Sequence, residues 1–377
     1  MIKILHIIPG LNRGGAETLL LNFISNSSKE FEHKVWYFET DKEQELVTEL
    51  ESKGIEVINL TTFKNWFNFS DLPKVVSKIK KINPDIVHLH VTYFWKMSYA
   101  LASKLAEKKV VITLHYLPHT LGKIKTPILK IFERLTNSLA DKFVAISTEV
   151  KNERKKLFKT PEDKIKVIFN GIDFSKLKIT RNSDEVLKEL KVTKNDFIIG
   201  TVGNVRWEKG TEFLVEVANL LSKEIENFKI IVVGAFGGNP YSNEISEKIQ
   251  NYSLKEKFIF VGKKLDVANY INCFDTFVLP SKSEGFGLAL VEAMYLGKPS
   301  VAFKIGGVSD IILSERFGLL AKPENSLELA EQLLKLIKMD SQQRMEIGKH
   351  GKEFVNENFG IKTLVTKYES LYSELIG

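Results

Sequence analysis

A short apolar run rich in β-branched residues, then a turn, then a helical pattern: this unit recurs from the first residue to about residue 339. Such alternation specifies parallel sheets, because parallel neighbours need a long crossover and a helix supplies it while covering the sheet. Strands are expected at 2–8, 34–38, 55–60, 85–90, 110–115, 143–147 and 165–170, and a second series at 197–203, 229–234, 258–262, 276–280, 300–303 and 318–320. Most are continuous apolar runs, as strands buried on both faces require.

The pattern is duplicated. Each series opens with a strand that runs into a glycine-containing loop and then a helix, at 9–17 and again at 203–210. Two Rossmann-like domains with parallel sheets, facing one another across a cleft, are the economical α/β architecture, with ligands beyond the carboxyl ends of the strands. The boundaries are set at 1–172 and 173–360, and the polar stretch 175–195, with one helical pattern at 184–190, is the linker candidate. Beyond Met339 only helices are expected, at 341–356 and 361–376. The last carries Leu364, Tyr368, Leu371 and Leu375 on one stripe, and such a stripe needs a partner surface, expected on the first domain.

Composition narrows the class. With 377 residues and 44% hydrophobic content the chain is large enough for two cores. Its single cysteine, Cys273, excludes an intrachain disulfide and suits a reducing compartment. The longest uncharged run, residues 230–243, falls short of the roughly 20 apolar residues of a spanning helix, and the amino terminus turns polar at Asn12 before a signal-peptide core can form. A cytoplasmic protein is expected.

Net charge is +7, from 54 basic and 47 acidic residues. Residues 104–159 hold 13 basic and 5 acidic residues, a local +8, so the excess sits in one place. Such a patch suits an anionic substrate, an anionic membrane surface or nucleic acid, or is simply a solvated lysine-rich face. Nucleic acid is disfavoured, since there is no arginine-rich helix, recognition motif or aromatic platform. Within the patch Ile128, Ile131, Phe132 and Leu135 follow helical spacing, for which core packing is the simpler reading. With Trp66, Phe67 and Phe69 in another loop, peripheral contact with an anionic bilayer is the alternative.

The most informative stretch is 280–294, PSKSEGFGLALVEAM. A strand ends at Pro280, a loop carries Glu284, and a helix begins near Gly287 with Glu292 inside it. A helix start offers unpaired N–H groups and a partial positive charge, so the backbone of Phe286, Gly287 and Leu288 is a candidate phosphate cradle. Glu284 and Glu292 would then accept hydrogen bonds from hydroxyls on either side of it. A nucleotide sugar has this outline of ribose, diphosphate and hexose.

Glu284 and Glu292, seven residues apart around Gly-Phe-Gly, resemble the E-x7-E motif of retaining glycosyltransferases of family 4, which have the GT-B fold. The resemblance spans nearly the whole chain. Gly14-Gly15-Ala16-Glu17 is similar to the family's amino-terminal loop, Asn170-Gly171-Ile172-Asp173 to its interdomain segment, and Glu208-Lys209-Gly210 to the end of its G-R-x-x-x-E-K-G loop.

The resemblance implies transfer of a hexose-type sugar from a nucleoside diphosphate, most commonly of uridine, to an acceptor hydroxyl with retention at the anomeric carbon. No cofactor and no metal are implied, and no D-x-D triplet occurs. The implied partners are the nucleotide sugar and an acceptor glycan or lipid-linked saccharide, in cell-surface polysaccharide or glycolipid synthesis. Glu284 would position sugar hydroxyls and stabilise developing positive charge, and Glu292 would bind the ribose. Lys209 and Arg206 would hold the diphosphate, Gly15 would allow close backbone approach, and His115 would lie near the sugar's hydroxymethyl group.

Two positions depart from the family's pattern. Asn204 stands where many relatives carry arginine, leaving Arg206 or another side chain to supply that charge, and Tyr116 follows His115 where aspartate is usual. A non-catalytic sugar-nucleotide-binding subunit therefore stays open, while a nucleotide-sugar epimerase on the same scaffold, the nearest rival enzyme, is disfavoured by the E-x7-E motif. A zinc cluster of His88, His90, His115 and His119 is disfavoured, because carboxylate and cysteine partners at metal spacing are missing.

Overall fold

The computed structural model describes residues 1–12, 14–38, 44–61, 69–91, 93–115, 126–193 and 195–377. Tyr116, His119, Trp66 and Phe67 lie outside them, and the side chain of Phe69 is not described. The chain forms two compact units, Met1–Ile172 with Ile361–Gly377, and Asp173–Gly360.

The first unit holds seven strands, β1 (Ile2–Ile8), β2 (Phe31–Tyr37), β3 (Glu56–Asn59), β4 (Ile86–Leu89), β5 (Lys109–Leu114), β6 (Lys142–Ala145) and β7 (Ile165–Val167). They pair in parallel in the order β3-β2-β1-β4-β5-β6-β7. The second unit holds β8 (Phe197–Val202), β9 (Phe228–Val233), β10 (Phe258–Gly262), β11 (Thr276–Leu279), β12 (Ser300–Phe303) and β13 (Leu319–Ala321). Their order is β10-β9-β8-β11-β12-β13, again parallel. In each sheet the chain winds outward one way, returns, and winds the other way. The reversals fall between β1 and β4 and between β8 and β11, and at such points the loops beyond the carboxyl ends diverge to leave a crevice.

Continuous burial explains the central strands. Every residue of β4, β11 and β12 is buried, and Val35, Ile86, Val111 and Val144 lie in one core while Ile230, Val278, Val301 and Phe303 lie in the other. The final helix, Ile361–Ile376, belongs to the first unit. Its first amide donates to the Ile172 carbonyl at 2.9 Å, and Leu364, Val365, Tyr368, Leu371 and Tyr372 are buried, with the Tyr368 ring 5.1 Å from that of Phe23. At about 1.5–3 kcal/mol for each large apolar side chain, this stripe is ample to hold the helix. The preceding helix, Ser341–Asn358, starts at Asp340, whose carboxylate accepts from the Gln343 amide while the Gln343 side chain accepts from the Asp340 amide.

Two expectations are corrected. The stretch 175–195 is no free linker but part of the second unit: Val186 is fully buried, and the Asn269 side chain accepts from the amides of Thr180 and Arg181. Its charged residues mostly face water, while Val186 and Val192 anchor it to the unit. On helix Thr126–Leu139 core packing does not account for Ile131 and Leu135, which are 60% and 52% exposed; Phe132 is half-buried, and the Ile128 side chain lies outside the described residues. The helix instead turns Glu133 and Thr136 inward, where Glu133 pairs with the buried Lys96 and Arg154. No helix among the described residues is long and apolar enough to cross a membrane.

Candidate active site

In the second unit the loops after β8 and β11, on either side of the reversal, meet. The segment after β8 ends in a single turn, Trp207–Lys209, closed by Gly210 at φ 64°, and a Cβ at Gly210 would run into the Pro280 carbonyl. Only glycine allows both this left-handed backbone and this approach. The amides of Lys282 and Ser283 donate to the Glu208 carbonyl at 2.9 and 3.4 Å, stitching the loops together. The result is an ion pair between Lys209 Nζ and Glu284 Oε2 at 2.7 Å, with Ser281 Oγ donating to the same carboxylate oxygen at 3.4 Å. A cavity of about 10 Å³, room for one water, lies beside it between Gly203, Lys209, Pro280 and Ser281.

Arg206 precedes this turn, exposed to solvent. Asn204 has a structural task, its side-chain oxygen accepting the Ala235 amide at 2.9 Å to brace the loop after β9. Lys282 is a residue that sequence reasoning passed over. It pairs with Glu212 and lies 4.4 Å from the centre of the Trp207 ring, tying the loop after β11 to the turn that carries Lys209. A lysine in a polar loop carries no signal of such a role, which depends on the loops meeting.

Glu284 is followed by Gly285 and Phe286, whose side chain is buried against Phe359 at 5.2 Å. That anchor fixes the loop from which the helix Leu288–Tyr295 departs, with Gly287 at φ 110° as its cap. Leu290 and Val291 donate to the Gly287 carbonyl, so the Leu288 and Ala289 amides precede the helical ladder, at the end where the helix dipole favours an anion. Glu292 sits one turn in. Its carboxylate has no hydrogen bond or ion pair to any described residue, and burial pushes it up to about 7. Such a group is costly to ionise unless a ligand hydroxyl satisfies it.

In the first unit Gly15 opens the helix Gly15–Asn26 after β1, exposed on its first turn, and His115 directly follows β5. His115 is not alone. Its Nε2 lies 3.2 Å from His90 Nδ1, His90 Nε2 lies 3.1 Å from His6 Nδ1, and His6 Nε2 lies 3.0 Å from His33 Nδ1. Burial lowers the basicity of all four, taking His33 and His115 to about 4, so the rings are neutral at physiological pH. His88 stands beside the row, its two nitrogens 2.7 Å from the hydroxyls of Tyr372 and Thr113. Nitrogens of His6, His88 and His90 fall within 4.8 Å of one another, a spacing open to a metal, yet each of the six nitrogens already has a hydrogen-bonding partner. Sequence reasoning weighs His88, His90, His115 and His119 but passes over His6 and His33.

Known proteins resemble this chain over most of its length. Residues 13–176 match the model of Glycosyltransferase Family 4, and residues 182–354 that of Glycosyl transferases group 1. N-acetyl-alpha-D-glucosaminyl L-malate synthase of Bacillus anthracis is 27% identical over 310 residues, 80% of this chain and 78% of the relative. The UDP-Gal:alpha-D-GlcNAc-diphosphoundecaprenol alpha-1,3-galactosyltransferase of Escherichia coli is 25% identical over 324 residues, 84% of this chain and 82% of its own. Among solved structures, HepE of Anabaena in complex with UDP and glucose superposes with a TM-score of 0.83 at 25% identity, covering 99% of this chain and 100% of its own. Two parallel sheets, the loops that meet beyond β8 and β11, and both family models thus agree that the chain belongs to glycosyltransferase family 4 and has the GT-B fold.

Proposed function

We propose that this glycosyltransferase moves a hexose-type sugar from uridine diphosphate to an acceptor hydroxyl with retention of anomeric configuration, and does so without a metal. The observation that carries the reading is Glu292, a carboxylate of raised pKa with no partner among the described residues, one turn inside a helix whose start suits an anion. Ribose hydroxyls donating to Glu292 and a diphosphate at the Leu288 and Ala289 amides complement this arrangement. HepE, solved with UDP-glucose as well, and the Escherichia coli galactosyltransferase, whose name specifies UDP-Gal, support a uridine donor.

In this reading Lys209 turns from Glu284 to the diphosphate as the sugar–phosphate bond breaks, where a cation is worth most because negative charge is appearing. Arg206 adds charge to the same oxygens in place of the family's arginine. Glu284, freed from Lys209, accepts from sugar hydroxyls and stabilises the positive character of the anomeric carbon. The departing phosphate oxygen takes the acceptor's proton on the face from which it leaves, so the new bond keeps the old configuration and no protein nucleophile is needed. Gly15 lets backbone approach the donor, and His115 accepts a hydrogen bond from a sugar hydroxyl. An epimerase or a non-catalytic binding subunit would not form a glycosidic bond.

The acceptor is read as a glycan or lipid-linked saccharide, reached by peripheral contact with an anionic inner membrane face from the cytoplasm. The support is the helix Thr126–Leu139, where exposed Ile131 and Leu135 flank the exposed Arg134. Apolar residues beside basic ones at the surface suit the headgroup region of a bilayer. Incubation of the purified protein with UDP-sugars, with and without EDTA and with lipid-linked acceptors, tests the reading. An α-linked product from an α-donor, formed equally in EDTA, is expected; inversion, or dependence on a divalent cation, would overturn it.

A further inference from the structure

The four histidines of the row come from four neighbouring strands. His33 lies in β2, His6 in β1, His90 just past β4 and His115 just past β5. At about 4.8 Å per strand spacing the row spans about 15 Å, moving from inside the sheet to its carboxyl edge. Every link joins Nδ1 of one ring to Nε2 of the next.

The inner end of the row is fixed by a carboxylate. His33 Nε2 lies 2.8 Å from Ser27 Oγ, and the Ser27 hydroxyl donates to Glu369 Oε1 at 2.8 Å, which also accepts the Ser28 amide at 2.6 Å. A carboxylate only accepts, so the one Ser27 proton is committed to it, and Ser27 Oγ must accept from His33 Nε2–H. A neutral imidazole carries one proton, hence His33 Nδ1 is bare and accepts from His6 Nε2–H. The same reasoning passes along the row: His90 Nε2–H donates to His6 Nδ1, and His115 Nε2–H donates to His90 Nδ1. The choice made at Glu369 therefore sets which nitrogen of His115 is bare.

We propose that Glu369, Ser27, His33, His6 and His90 form a tautomer relay that holds His115 in its Nε2–H form, so that its Nδ1 can only accept a hydrogen bond. These are positioning residues, acting through His115 rather than on substrate. The proposal rests on the reading of His115 as the acceptor for a sugar hydroxyl, since that role requires a bare nitrogen. The helix that carries Glu369 is the last of the chain, and it returns to the first unit after the whole of the second has been threaded. The relay is complete only when this helix has docked.

Full-length protein labelled with ¹⁵N-histidine and examined by long-range ¹H–¹⁵N correlation reads each tautomer directly. The expected result at pH 7.5 is protonated Nε2 and bare Nδ1 at all four rings. In Ser27→Ala and in His6→Phe, which cut the row at its anchor and at its middle, the His115 signals should move toward a mixture of tautomers. Protonated Nδ1 at any of the four rings of the native protein, metal-bound nitrogens at His6 and His90, or an unmoved His115 in folded Ser27→Ala would each overturn the relay. Turnover separates the two ideas. If Ser27→Ala shifts the His115 tautomer and lowers kcat severalfold with little change in nucleotide affinity, both stand. A tautomer shift with unchanged kcat upholds the relay and removes His115 from sugar recognition.

Discussion

Lys209 Nζ and Glu284 Oε2 are 2.7 Å apart although 75 residues separate them, because each follows one of the two strands, β8 and β11, at which the sheet reverses direction. The lysine is 37% exposed and the glutamate 15%, so the pair is open enough to exchange partners. Each group holds the other in place without a rigid commitment between them.

Removing Lys209 should therefore act mainly on turnover. Lys209→Ala is expected to lower kcat by about 10²-fold or more, the scale for losing a group that meets charge in the transition state. Steady-state kinetics at saturating donor check this, and a near-normal rate would strip Lys209 of that role. Glu284→Gln should also lower kcat while leaving nucleoside diphosphate affinity close to native, because the carboxylate is assigned to the sugar and not to the nucleotide.

Much of this is legible in the sequence alone. All thirteen strands among the described residues are foreseen, most of them because a strand buried on both faces is a continuous apolar run and cannot be mistaken for a solvent-facing helix. The foreseen start of β2 falls three residues late, since Phe31, Glu32, His33 and Lys34 alternate in burial and Lys34 pairs with Glu56 on the neighbouring strand. The glutamates and Lys209 are legible as local motifs. The histidine row is not, because His33, His6 and His90 are 27 and 84 residues apart and only the strand order aligns them. Nor is the outward face of helix Thr126–Leu139, whose orientation is decided by an ion cluster with partners on two other elements.

That cluster has its own consequence. Lys96 Nζ is 2.6 Å from Glu133, Arg154 pairs with the other oxygen, and all three side chains are at most 4% exposed. Burial alone would raise the Glu133 pKa, but Lys96 and Arg154 hold it below its ordinary value. Glu133→Gln would remove the carboxylate that faces both buried cations, and unfolding in urea should show a loss of about 3–5 kcal/mol. A loss below about 1 kcal/mol would mean that water reaches the site.

Membrane contact predicts a different kind of mutant. Ile131→Asp with Leu135→Asp replaces exposed apolar groups, so stability should change by no more than about 0.5 kcal/mol. Sedimentation with vesicles containing anionic lipid should nevertheless fall severalfold relative to the native protein, while activity on a water-soluble acceptor is retained. Equal sedimentation of both proteins would assign the basic face to something other than a bilayer.

Glu292 offers a test in which stability and function pull apart. Its folded-state pKa is raised from 4.5 to about 7 by burial, so the folded protein holds the proton more tightly than the unfolded chain. Below pH 4.5 the group is protonated in both states and carries no penalty; as pH rises through 7 the folded state comes to hold an unpaired carboxylate, and stability is lost by about 3 kcal/mol at most. Glu292→Gln removes the ionisation, so it should raise the melting temperature of the ligand-free protein at pH 8 and leave it nearly unchanged at about pH 4. UDP affinity should move the other way. The carboxylate is the better acceptor for ribose hydroxyls, so native affinity measured by calorimetry should weaken on going from pH 8 to pH 6, and the variant should bind about 10-fold or more weakly at pH 8, with little pH dependence. A variant that is no more stable at pH 8 would mean the carboxylate is already satisfied in the free protein. Nucleotide affinity unchanged by the substitution would take Glu292 away from the ribose.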